Sequence, residues 1–305
     1  KLSFNSATRN IIRSMRLLLR LLAAWPLGIL HTLGVLIGWA GYIGSRGYRE
    51  RFDAHAALAG LDAAQRRAAV AEAGRMVAEL PWLWLRPPTR PLGARLHWDG
   101  DALIQQALDQ GQGLLLLTPH LGSFEVCAQA IAERWAGQPT LTVLYRPARQ
   151  DWLGEVQATA RQRPGLQAVP VGLAAVRQML RALRRGEMVG LLPDQVPPLG
   201  QGAWAPFFGR PAYTMTLAAR LARQAQVRCL LIWAERLPRA AGWRLHVAEP
   251  SAPLPAVGAD DASQQDAAGA VNAEMERLIR QCPQQYLWGY HRYKQPPRPS
   301  AEETA

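Results

Sequence analysis

Four short apolar runs, at 114–118, 141–145, 166–171 and 188–192, alternate with helical stretches near 99–109, 123–136, 150–161 and 173–185. Neighbouring parallel strands need crossover connections, and helices supply them. The alternation therefore restricts the chain to an α/β fold whose strands are covered on both faces. Two further runs, VRCLLIWAERL and WRLHVAEP, flank the segment Pro238 to Gly242 and read as a hairpin, which makes the expected sheet mixed but mostly parallel. The segment 264–281 has the spacing of a last amphipathic helix. Ahead of the strands, from about 48 to 85, alanine and leucine recur at helical spacing. Asp62 is placed to cap a helix there, and Pro81 is expected to end or kink it.

In front of this lies a stretch without charge between Arg20 and Arg46. As one helix its roughly 25 residues extend about 37 Å, longer than a hydrocarbon core of about 30 Å. Arg13, Arg16 and Arg20 precede it, Arg46, Arg49 and Arg51 follow, and Trp25, Trp39 and Tyr42 sit near its ends. A cleaved signal peptide fits poorly, because the run is long and no small-x-small site closes it. A buried helix of a soluble domain is the competing reading, given Pro26 and the repeated glycines. A membrane anchor, spanning or dipping into one leaflet, is the expectation, and cations on both flanks leave its orientation open. The organisation expected is an anchor with basic flanks over 1–47, a helical segment and Pro-rich connector over 48–95, an α/β domain over 96–295 and a disordered tail over 296–305.

The net charge is +12, and lysine occurs only at Lys1 and Lys294. An arginine-rich excess suits anionic partners, phosphates above all. The cations are spread along the chain without a nucleic-acid reader motif, so nucleic acid is not an expected partner. Cys127, Cys229 and Cys282 are few and far apart, which argues against a disulfide framework and fits a reducing compartment. The histidines have no metal-ligand spacing, and no metal site is expected.

The segment LLLLTPHLGSFEV ends a strand on His120, with Gly122 for flexibility, Ser123 placed to cap the next helix and Glu125 in its first turn. In parallel α/β sheets, ligands bind beyond the carboxyl ends of the strands. Residues five apart on one helix diverge by about 140°, so His120 and Glu125 meet only if the histidine stands in the loop and curls back. An imidazole so placed can take a proton from a hydroxyl, with a neighbouring carboxylate fixing its tautomer. No Gly-x-Ser-x-Gly elbow is present, so direct activation of an acceptor hydroxyl is the simplest role. A structural histidine followed by an acid remains the plain alternative on spacing alone.

Four segments carry a resemblance: TPHLGSFE (118–125), LYRPAR (144–149), GEMVGLLPDQVPPLGQGAWAPFFGRPAYT (186–214) and CPQQYLWGYHRYK (282–294). The first resembles the His-x4-Asp/Glu block of glycerolipid and lipid A acyltransferases. Together, in order and spacing, the four resemble the lauroyl/myristoyl acyltransferases that act late in lipid A biosynthesis. The resemblance implies a glycerolipid acyltransferase-like fold on an inner membrane, with the catalytic domain on the cytoplasmic face. It implies transfer of a fatty acyl chain from acyl carrier protein to a hydroxyl of a Kdo-bearing, phosphorylated lipid A precursor. No cofactor is implied beyond the acyl carrier protein co-substrate. By position, His120 becomes the base and Glu125 its partner, and Arg146 serves an acceptor phosphate or the developing oxyanion. Asp194 and Gln195 hold the site's loops or contact the acceptor, and Phe207, Phe208 and Gly209 line an acyl groove, with plain core aromatics as competitor. Tyr286, Trp288, Arg292 and Lys294 are expected to pack with a basic rim. A sister enzyme with another lipid acceptor, and a non-catalytic basic membrane-binding protein, are the alternatives.

Overall fold

A computed structural model describes residues 6–136, 140–145, 150–161 and 163–298. In chain order these form helices α1 (Ser6–Ala23), α2 (Leu27–Gly44), α3 (Arg46–Leu58) and α4 (Ala63–Leu85). Then come β1 (Leu96–Asp99), α5 (Ala102–Asp109), β2 (Gly113–Leu117), α6 (Phe124–Arg134), β3 (Leu141–Tyr145) and α7 (Asp151–Ala160). After β4 (Leu166–Pro170), α8 (Leu173–Arg184) and β5 (Met188–Leu191), a hairpin forms from β6 (Gly202–Phe207) and β7 (Arg210–Met215). The last elements are α9 (Leu217–Ala222), β8 (Val227–Arg236), β9 (Trp243–Ala248) and α10 (Asp261–Gln281).

Seven strands make one sheet in the order β1-β9-β8-β2-β5-β3-β4. Every neighbouring pair is parallel except β8 and β9, the hairpin expected from VRCLLIWAERL and WRLHVAEP. The mixed, mostly parallel α/β sheet read from the alternation is the fold observed. At its centre β2 is buried throughout, and its side chains alternate between two cores. Leu115 and Leu117 join Met179 of α8, Ala218 and Leu221 of α9, and Val271, Met275 and Leu278 of α10 on one face. Leu114 and Leu116 meet Ile104 of α5, Val126 and Ile131 of α6, and Trp82 and Leu83 of α4 on the other. With both faces covered, β2 carries no polar residue until it leaves the sheet.

The front differs from a single long helix. Pro26 has no N–H to continue a helix, so α1 ends at Ala23 and α2 starts afresh at Leu27. Among the described residues α2 is the one helix long and apolar enough, by length and composition, to cross a membrane. It lies lengthwise against α4 at backbone distance. A Cβ at Gly38 would stand 2.2 Å from the Val70 carbonyl oxygen, and one at Gly74 would stand 1.9 Å from the Gly34 oxygen. Gly74→Ala is therefore expected to push the two helices apart. Overpacking of this kind costs about 1–3 kcal/mol, read as a lowered Tm.

α4 opens on the expected cap: Gln65 N–H donates to Asp62 Oδ1 at 2.7 Å, and the Gln65 side chain accepts from Asp62 N–H at 3.0 Å. Pro81 does not end it, and helix continues to Leu85. One backbone bond is lost there, but Trp82 and Leu83 beyond it are buried in the core, and that burial outweighs the loss. The β6–β7 hairpin was not expected from the sequence. Its turn residues Phe208 and Gly209 have φ of 46° and 75°, the doubly left-handed form that matches strand twist.

Candidate active site

The carboxyl ends of β2, β5 and β8 meet at one rim of the sheet. His120 follows β2 in the loop that leads to α6, and Asp194 and Gln195 follow β5. The His120 loop is clamped on both sides. Gly122 N–H donates to Gln285 O at 2.9 Å, Leu287 N–H donates to His120 O at 3.1 Å, and Ser123 N–H donates to Ala234 O at 2.8 Å. Gly122 has φ +60°, and a Cβ on it would stand 1.9 Å from the Ala234 oxygen, so the loop closes this tightly only with glycine. Ser123 is buried and makes no side-chain cap on α6; its backbone is held to β8 instead.

Asp194 grips His120 twice. His120 N–H donates to Oδ2 at 2.9 Å, and the ring Nδ1 lies 2.7 Å from Oδ1. A buried carboxylate only accepts, so Nδ1 carries the hydrogen and Nε2 keeps a lone pair. The Gln195 Nε2 amide lies 3.0 Å from His120 Nε2 and donates into that lone pair. Burial would push the Asp194 carboxyl up, but the charge His120 carries once protonated, the hydrogen bonds from His120 and the charge of nearby Arg292 outweigh it and hold the group below its ordinary value. Phe124 packs edge-on to the imidazole, with ring centroids 4.8 Å apart. The His120 side chain stays 14% exposed while Asp194 is 1% exposed, so the ring is reachable and its anchor is not.

Glu125 does not bind the imidazole. Both ring nitrogens are taken, and the Glu125 carboxylate accepts from Arg161 Nη2 at 2.6 Å. The reason is geometric: from the first turn of α6, Glu125 reaches the end of α7, while the loop turns His120 toward β5. Arg161 also lies over the Tyr145 ring, 5.3 Å from its centroid, at the end of β3. Arg146, the next residue in the chain, lies outside the described residues.

Phe207 and Phe208 are core residues rather than walls of an open groove. Phe207 lies against Phe208, Tyr286 and Tyr293, and Phe208 against Trp288, all buried or half-buried. Gly209 completes the hairpin turn at this place. The C-terminal block does more than pack. Arg292 is buried, donates to Tyr213 O at 2.7 Å and Asn272 Oδ1 at 3.1 Å, and places its charge near Asp194. Burial, then the Asp194 charge, raise the Tyr286 hydroxyl well above its ordinary pKa, so it stays a neutral donor beside that carboxylate.

Arg236 is the site residue that the sequence reading passed over. At the end of β8 it forms a fork on Glu79, with Nε to Oε2 at 3.0 Å and Nη2 to Oε1 at 2.6 Å. It also reaches Glu72 Oε2 at 2.8 Å and the Gly122 carbonyl at 3.3 Å. His31 of α2 lies 3.2 Å from the same Glu79 carboxylate. An acid at 79 inside an otherwise apolar helix turn was the available signal. This buried group of ions links α2, α4, β8 and the His120 loop.

Among the described residues no group of three or more His, Cys, Asp or Glu side chains is arranged to hold a metal ion. The three cysteines are free, and burial pushes each thiol up to about 12, which leaves them poor nucleophiles. The candidate proton acceptor at the rim is the imidazole. Asp194→Asn would keep its position but let Nδ1 lose its fixed hydrogen. We expect a large fall in the rate constant with little change in acceptor KM, and a shifted acid limb in the pH–rate profile.

A histidine at a parallel strand end, its Nδ1 held by a buried carboxylate, is an arrangement on an α/β fold that can take a proton from a hydroxyl. Comparison with known proteins gives the family. The model of the bacterial lipid A biosynthesis acyltransferases matches residues 7–295, and the chain belongs to that family. The chain is similar to the lipid A biosynthesis palmitoleoyltransferase of Escherichia coli K12, 26% identical over 227 residues, covering 73% of this chain and 69% of that one. The lauroyltransferase of the same organism is likewise 26% identical, over 225 residues and the same shares. A Haemophilus influenzae lipid A biosynthesis acyltransferase is 27% identical over 202 residues, covering 65% of this chain and 58% of that one.

Proposed function

We propose that this acyltransferase moves a fatty acyl group from an acyl carrier protein thioester to a hydroxyl of a Kdo-bearing lipid A precursor, at the cytoplasmic face of the inner membrane. The observation that carries the reading is the 2.7 Å contact of His120 Nδ1 with the buried Asp194 carboxylate, which leaves Nε2 to accept a proton. The acceptor hydroxyl displaces the Gln195 amide and gives its proton to Nε2. Its oxygen forms the new C–O bond at the thioester carbonyl, and the resulting tetrahedral oxyanion collapses with cleavage of the C–S bond. The leaving thiolate takes the proton back from the imidazolium, which Asp194 has steadied meanwhile.

Glu125 acts in this scheme through Arg161. It holds a cation on the α6–α7 side of the rim, where the phosphorylated acceptor and the oxyanion need positive charge. Arg146 is assigned to an acceptor phosphate or to the developing oxyanion by its place in the family block. The basic excess of the chain supports an acidic carrier protein and an anionic lipid as partners.

Purified enzyme supplied with acyl carrier protein thioester and a Kdo-bearing precursor should give a product heavier by one acyl chain. Lipid A from cells lacking the chain should lack one secondary acyl group by mass spectrometry. An unchanged lipid A profile, with transfer to lysophospholipid instead, would overturn the acceptor assignment.

A further inference from the structure

The front of the chain is built to lie on a membrane rather than to pass through it. α2 has two unlike sides. Leu27, Leu30, His31 and Gly34 are buried against the body, whereas Ile29, Leu36 and Ile43 are 52%, 65% and 67% exposed, on the opposite side. α1 repeats the arrangement: Leu17, Leu18 and Leu21 face outward, with Trp25 exposed at the junction. Arg13 and Arg20 are exposed beside that leucine stripe, and Arg46 is exposed past the end of α2. Arg16 is paired with Glu155, which ties α1 to α7.

Two facts keep α2 from leaving the body to span a bilayer. Its glycines are in backbone contact with α4, which carries Arg66, Arg67, Glu72, Arg75 and Glu79 and would have to enter the membrane with it. Its own His31 is bound to Glu79, which is fixed in turn by Arg236. The same chain of contacts places α2 beside the catalytic rim, and Gly28 stands next to Ala240 in the β8–β9 connection.

We propose that α1 and α2 form a one-leaflet docking surface for an anionic bilayer. The exposed leucines and isoleucines enter the acyl boundary, the arginines stay at the phosphates, and no residue crosses the membrane. An apolar stripe bordered by arginine fits anionic lipid, whereas a second copy would bring like charges face to face. The surface holds the His120 rim at headgroup height, where a lipid acceptor presents its hydroxyls; that consequence rests on the proposed function, but the docking mode does not.

Two measurements on the full chain decide it. Epitope tags before Lys1 and after Ala305 should both be digested by protease in inverted inner-membrane vesicles, and neither in sealed spheroplasts. A tag before Lys1 that is protected in inverted vesicles overturns the proposal. Separately, the pair Leu36→Glu and Ile43→Glu should lower co-flotation with phosphatidylglycerol vesicles about tenfold, with an unchanged circular dichroism spectrum. Co-flotation equal to wild type, or loss of a lipid-independent dimer as the pair's main effect, overturns it. Transfer to a detergent-dispersed acceptor, measured on the same variant, reports the function separately and should persist.

Discussion

His120→Ala is expected to lower acyl transfer by about 10²–10⁴-fold, the range for losing a positioned general base. Its fold and membrane binding should be retained. The ring is partly exposed and, among the described residues, makes its polar contacts to Asp194 and Gln195, while the loop is held by backbone bonds to Gln285, Leu287 and Ala234 that an alanine leaves intact. Circular dichroism and flotation controls separate lost chemistry from lost structure. Full activity in this variant would remove the imidazole from the mechanism and leave the basic surface as a docking platform for someone else's chemistry.

Arg236→Met should produce the largest loss of stability. It leaves Glu79 buried at 1% exposure, with its acceptors facing His31 and no fixed cation, and removing one member of a buried pair costs about 3–5 kcal/mol. The pair also sets an acid limit. Burial by itself would raise the Glu79 carboxyl, but the Arg236 charge, with hydrogen bonds from His31 and Arg236, brings it down from 4.5 to about 2. A depressed carboxyl stabilises the fold above its unfolded pKa, and that contribution is lost as pH falls through the folded value. Wild-type stability should therefore decline between about pH 4.5 and pH 2, with Glu79 as one contributor, and the variant should show a shallower decline there. Identical acid profiles would mean that the Glu79–Arg236 pair does not set that limit. Because Arg236 also holds the Gly122 carbonyl, residual activity in the variant should fall through misplacement of the His120 loop, visible as a reduced rate constant with KM little changed.

The sequence by itself determined the sheet and the place of the histidine. Strand–helix alternation is a local pattern, and β2 through β5 follow the apolar runs within a residue or two because strands of a covered parallel sheet are predominantly apolar. Local chemistry was equally readable at Asp62, whose cap needs residues three apart, whereas Pro26 splits into two helices a front expected as one. What only the tertiary structure decided was which charged groups meet. Glu125 is five residues from His120, and Asp194 is seventy-four away along the chain, yet parallel strands β2 and β5 end side by side and deliver Asp194 to the ring. Arg236 and Glu79 are likewise joined where α4 packs against the carboxyl end of β8. Pairing between charges depends on directions set by packing, and no spacing rule in one dimension encodes those directions. The hairpin β6–β7 is hidden for a related reason: Phe207 and Phe208 read as either a groove or a core until the C-terminal block closes over them.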